Sequence, residues 1–265
     1  MPSVLLSACG SAAAEYCNGA REGEVMRAIL ELTEDYLQVS GIGTHLILPR
    51  AVVASQTLGR RSSAEQPRTA GMPFGSIAVA ARQRKSALVL MVCSVNYPAN
   101  SGRRGVEICT PMHNHAACSE ASGRFASILE RQLGAIAPGP VKQVPMPMPE
   151  FRAAKCPVAQ VYLGSRSHLE DAQWMLQSTG AIAHALAKAA ALWFDIPCKS
   201  PFAHCAAVVT GGALALRRAP GRGAELLRTL PNGTKLLLLH RDGDWQYVEH
   251  EGVCGYVQRQ YLQAK

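Results

Sequence analysis

The chain lacks several things, and each absence narrows what it does. No stretch of its 265 residues approaches the ~18 consecutive apolar residues of a membrane span, so no membrane partner is expected. No CxxC occurs among Cys9, Cys17, Cys93, Cys109, Cys118, Cys156, Cys198, Cys205 and Cys254, and nine is an odd number. That excludes a fully paired disulfide framework and the usual redox or zinc-ribbon spacing. Several of these cysteines lie inside apolar runs and read as small buried hydrophobes in a reducing compartment. No phosphate-cradling loop is present, because GSIAVA (75–80) has neither the glycines nor the lysine it would need. There is no internal repeat. Charged residues make up only 17% and hydrophobic ones 48%, which suits a globular chain rather than a disordered one.

What the chain has in excess is positive charge. Lys and Arg number 27 against 19 Asp and Glu, a formal net charge of +8. The basic residues form only short clusters: RQRK (82–85) and RR at 60–61, 103–104 and 217–218. They lack interleaved aromatics, so nucleic acid is not the expected partner; acidic protein surfaces are. LSAC (6–9) imitates a lipoprotein cleavage box, but only MPSVL precedes it, without Lys or Arg. We read Val4–Leu6 as a first strand, expect no secretion signal, and expect an intracellular protein, cytoplasmic or cytoskeletal.

Strand-like and helix-like segments alternate over residues 1–194, which predicts an α/β domain with a mixed sheet flanked by helices. SALVLMVCSV (86–95) is the most apolar segment and should be a central strand. VPMPMPEF (144–151) reads as a stiff connector, and Gly180 as an interruption in the helical stretch 169–194. Residues 195–211 break the pattern and read as a linker. Short strands punctuated by PNG, DGD and HEG then predict a small β-barrel over 212–265.

That last segment resembles a bacterial-type SH3 domain. LALR (214–217), APGRG (219–223), LPNGTKLLLL (230–239), GDW (243–245), EGVCGYV (251–257) and YL (261–262) follow the family's order. The resemblance implies an SH3-like β-barrel with Trp245, Tyr247 and Tyr256 as candidate groove residues. Packing of these aromatics into the barrel core is the alternative.

Residues 1–194 resemble the zinc-dependent N-acetylmuramoyl-L-alanine amidases that cut peptidoglycan. The ordered set LSACGS (6–11), Glu22 before VMRAIL, LPR (48–50), SALVLMVCSV (86–95), GVEIC (105–109) and PVAQVYLGSRSHLED (157–171) carries it. The resemblance implies three zinc ligands and a general-base Glu, carried onto Cys9 or Gly10, Glu22 with Glu24 as its close competitor, Cys93 and Tyr162. Two His ligands are thereby replaced and the base becomes a phenol, with a reference pKa near ~10. The resemblance therefore implies a degenerate active site and no catalytic metal. CTPMHNHAAC (109–118) offers Cys109, His113, His115 and Cys118 as a separate candidate zinc cluster, but its spacing matches no standard finger.

The expectation is a non-catalytic, amidase-like pseudoenzyme. An SH3-like module would bind protein partners within a larger intracellular assembly, with an acidic lattice such as a microtubule as one example. The alternative is an active zinc amidase with atypical Cys and Glu ligands.

Overall fold

The computed structural model describes residues 1–9, 14–48, 74–98, 101–112, 118–152, 154–202 and 206–264. The first layer system runs β1 (Ser3–Ala8), α1 (Glu22–Val39), β2 (Gly43–Ile47), α2 (Phe74–Gln83), β3 (Leu88–Val95), β4 (Val106–Pro111), α3 (Ser119–Gly134), β5 (Val141–Met146), β6 (Val158–Ser165), α4 (Leu169–Gln177) and α5 (Thr179–Trp193). The sheet order is β2-β1-β3-β6-β4-β5. Its strands are parallel except where β4 meets β6. The mixed sheet expected from the sequence is therefore present.

The period-2 alternation of β3 decides how the layers assemble. Leu88, Leu90 and Val92 join the core under α1, α3 and α5, whereas Val89 and Met91 join a second core under α2. Burial on both faces is why this strand reads as an unbroken apolar run. In α1, Val25, Met26, Ile29, Leu30, Tyr36 and Leu37 form one buried stripe at helical spacing. The chain leaves that helix through Gly41 at φ +81°, a left-handed position that favours glycine.

Three sequence expectations need correction. The Pro/Met tract is not simply a connector: β5 begins at Val141 and pairs in parallel with β4 through Met146. Pro145 is tolerated because β5 is an edge strand, where a missing N–H costs no ladder bond. Gly180 does not break the helix, since the break falls at Ser178, between α4 and α5. The span 195–211 is not all linker, because β7 (Ala206–Val209) pairs with strands of the C-terminal sheet.

That sheet adds β8 (Leu214–Arg217), β9 (Leu226–Leu230), β10 (Lys235–Asp242), β11 (Trp245–His250), β12 (Val253–Gln258) and β13 (Leu262–Ala264). Its order is β13-β7-β10-β11-β12-β8-β9, antiparallel throughout. One face encloses Val209, Leu214, Leu216, Leu230, Leu236, Val248 and Val257. The other presents Leu239, Tyr247 and Tyr256 to Ala181 of α5. The Tyr36 hydroxyl of α1 donates to the Leu239 carbonyl at 3.2 Å. A Cβ on Gly180 would lie 2.2 Å from Cδ2 of His240, so Gly180 is where the helix and the barrel approach most tightly.

Candidate functional site

The C-terminal ends of β1, β3 and β6 meet the start of α1, and the candidate residues gather there. Alternation along each strand sends them to different sides. Cys93 and Tyr162 are register partners on β3 and β6. Cys9 follows β1, with its N–H donating to the Val92 carbonyl at 3.2 Å. Cys9 and Tyr162 pack on the second core, under α2. Gln160, two residues before Tyr162 and so on the same face, ties this group together. Its Nε2 reaches Cys93 Sγ at 3.6 Å and the Tyr162 hydroxyl at 2.9 Å. Burial pushes the Cys93 thiol well above its ordinary range, and the neighbouring Cys9 thiol adds to the shift. Burial likewise raises the Tyr162 phenol, helped by Cys93 and Cys109. Both groups are held protonated at neutral pH.

Glu22 is engaged by Ser94 on the α1 side of β3, and its charge adds to the rise of the Cys93 thiol. It is the first residue of α1 and is buried. Its Oε1 accepts from the Ser94 N–H at 2.9 Å and from the Ser94 hydroxyl. Its Oε2 lies 3.4 Å from Nη1 of Arg166. The resemblance carried a His ligand onto Cys93, but the residue facing Glu22 is the next one, Ser94, which alternation points to the α1 side. Ser94, Arg166 and Gln160 were not singled out from the sequence. Arg166 was visible in GSRSHLED, but nothing local to that motif links it to a Glu 144 residues away.

The helix start after β6 is locked from the other direction. Asp171 is buried, and its Oδ2 accepts from the N–H groups of Ser165 at 2.9 Å and Gly105 at 3.0 Å. A Cβ on Gly164 would fall 2.8 Å from Asp171 Cβ, so this glycine is needed for close approach.

Of the separate zinc candidates, Cys109 and Cys118 are buried in the core under α2, and His113 and His115 lie outside the described residues. Among the described residues no group of three or more His, Cys, Asp or Glu is placed to hold a metal ion. Cys9, Glu22 and Cys93 are all described, so the structure does not assemble them as a ligand set.

In the C-terminal sheet, Tyr247 and Tyr256 are buried rather than presented on an open groove, and Tyr247 touches only the wall of a cavity of about 340 Å³ beside α5. They stack on each other at 4.9 Å between centroids and are buried against α5. Tyr247 also meets His184 edge-on at 6.0 Å, and His184 lies 5.2 Å from the Tyr36 ring. The sequence offered no sign that a neighbouring domain would cover this face. Trp245 remains half-exposed and lines a cavity of about 350 Å³ with Arg217, Arg222 and Tyr261.

Residues 212–263 match the bacterial SH3 domain family. Among solved structures, an N-acetylmuramyl-L-alanine amidase from Mycobacterium abscessus superposes with a TM-score of 0.54 at 16% identity, covering 73% of this chain and 98% of that one. The catalytic domain of an N-acetylmuramoyl-L-alanine amidase from Bacillus (Paenibacillus) polymyxa gives 0.56 at 13% identity, covering 74% and 100%. One from Nostoc punctiforme gives 0.53 at 12%, covering 73% and 97%. The α/β domain has the amidase fold. Among curated proteins no sequence match was found. At these identities the likeness concerns the fold, and the chemistry has to be judged on the side chains. On the amidase fold, Glu22 is engaged by a hydroxyl, a backbone N–H and a guanidinium. The zinc that the resemblance implies does not fit the described residues.

Proposed function

We propose that this chain is a non-hydrolysing binding protein built on the amidase fold, with its SH3 domain fixed against the α/β domain. The observation that carries the reading is the state of Glu22. A metal-ligating carboxylate needs a cation at its oxygens, and here Arg166 supplies that charge from within the chain. Tyr162 adds to the argument. A phenol raised above its ordinary range by burial cannot take a proton from water near neutral pH. Loss of a general base alone typically costs ~10²–10⁴-fold in rate.

The partner class is an acidic protein surface, on the strength of the +8 net charge. The location is a reducing compartment. The eight cysteines among the described residues are free thiols, which suits it.

The test is to incubate the purified chain with zinc and a defined muropeptide and follow release of the peptide, with bound metal quantified in parallel. The expected outcome is no turnover and less than one equivalent of retained zinc. Chelator-sensitive release of L-alanyl peptide would overturn the reading.

A further inference from the structure

A large cavity lies at the opposite end of the sheet from Glu22. It opens at the N-terminal ends of β3 and β6, between α2 and the end of α5, with a volume of about 820 Å³. Six residues of β3, Leu88 to Cys93, separate its lining from Ser94, a span of about 23 Å. It is a different site from the one discussed above, and it goes beyond the proposed function.

Its walls are apolar: Ala78, Val79, Ala81, Ala154, Pro157 and Trp193. Val79 is 44% exposed, a large aliphatic residue left uncovered on the α2 wall. Arg82, Lys85 and Lys155 stand on the same lining. All three are exposed, and none takes part in an ion pair among the described residues. Ser86 also belongs to the lining; it is 7% exposed and its hydroxyl has no hydrogen-bond partner. A concave apolar site of several hundred Å³ with a few convergent polar groups is the usual form of a small-molecule site. Among the described lining residues the charged groups are all cations, beside the unsatisfied Ser86 hydroxyl and the Cys156 thiol, and none is acidic.

From this combination we infer that the cavity binds a free, single-chain anionic amphiphile: an apolar chain against α2 and Trp193, and a carboxylate or phosphate head at Lys85, Lys155 and Arg82. A half-open concave site of this size suits a single chain laid along α2 rather than the flat face of a bilayer.

The test uses the full chain with dodecanoate, decanoate and dodecyltrimethylammonium, each below its aggregation threshold, in calorimetric titration. Dodecanoate should bind saturably at one site. Decanoate, two methylenes shorter, should bind roughly 15-fold more weakly if the chain is buried. The cationic amphiphile should bind at least about tenfold more weakly than dodecanoate. Lys85→Glu with Lys155→Glu should weaken dodecanoate about tenfold. Val79→Asp should also weaken it, without lowering the melting temperature, because Val79 is exposed. Binding of dodecanoate should change Trp193 fluorescence, and Trp193→Phe should remove that change. Equal affinity for the two chain lengths would overturn the inference, as would indifference to head-group charge. Co-sedimentation with phosphatidylglycerol vesicles without saturable dodecanoate binding would overturn it too, in favour of a membrane surface. None of these outcomes depends on whether the Glu22 site turns over muropeptide.

Discussion

Acid should loosen this protein through one histidine. His184 sits on α5 at the junction of α1, α5 and the barrel, 7% exposed, between the rings of Tyr36 and Tyr247. Burial lowers its pKa from 6.5 to about 4, and Lys188, one turn further along the helix, adds to the shift. The folded state therefore resists protonation that the unfolded chain accepts. The stabilisation is complete above pH 6.5 and is lost as pH falls from there through about 4. Between pH 7.5 and 4.5 the linkage relation gives a loss of about 2.5 kcal/mol from this residue alone. Carboxylates titrate in the same range, so the measurement is a difference. Urea unfolding of the wild type and of His184→Gln is followed at both pH values. The variant starts from a lower stability, but its loss between the two should be smaller by about 2 kcal/mol. Parallel pH dependences in the two proteins would refute the assignment of the shift to His184.

Three further outcomes follow from packing. Gly180→Ala should destabilise by roughly 1–3 kcal/mol in thermal or urea unfolding, although alanine favours helix, because its Cβ would meet the His240 ring. Glu22→Gln should cost roughly 2–3 kcal/mol by the same measurement, since it strands Arg166 beside a neutral group, and it should leave metal content unchanged. Tyr247→Ala should cost roughly 3–5 kcal/mol in the same unfolding measurement. Trp245→Ala should cost much less, and equal losses at the two positions would contradict their placement.

The parts of the fold legible in the sequence were those set by local periodicity. The double-sided burial of β3 shows as an uninterrupted apolar run, and the α1 stripe shows as helical spacing. Parallel pairing of β5 did not show, because prolines in VPMPMP argue against a strand unless the edge position is known. β7 was hidden for a related reason: AAVV is too short to stand out, and its identity as a strand comes from pairing with β10 and β13. At the site, Cys9, Cys93 and Tyr162 stand near the C-terminal ends of β1, β3 and β6. The misplacement of one position, Cys93 for Ser94, reverses the face. A one-residue shift along a strand does that everywhere, since the side-chain period is two. The contacts of Glu22 with Ser94 and Arg166 span 72 and 144 residues, beyond the reach of any local pattern.

The two domains and the Glu22 site obey the same physical rule: a group taken out of water must find its partner within the protein. Tyr247 and Tyr256 are aromatics that would serve an open groove, but α5 covers them, with Ala181 and Gly180 providing the flat surface and Tyr36 and His184 completing the ring contacts. That contact buries both residues and packs the SH3 domain against the α/β domain. Glu22 repeats the logic with charge. A buried carboxylate without a counter-ion costs several kcal/mol. Arg166, Ser94 and a backbone N–H meet that requirement with atoms of the chain itself. The burial of this carboxylate is therefore compensated by groups of the chain itself.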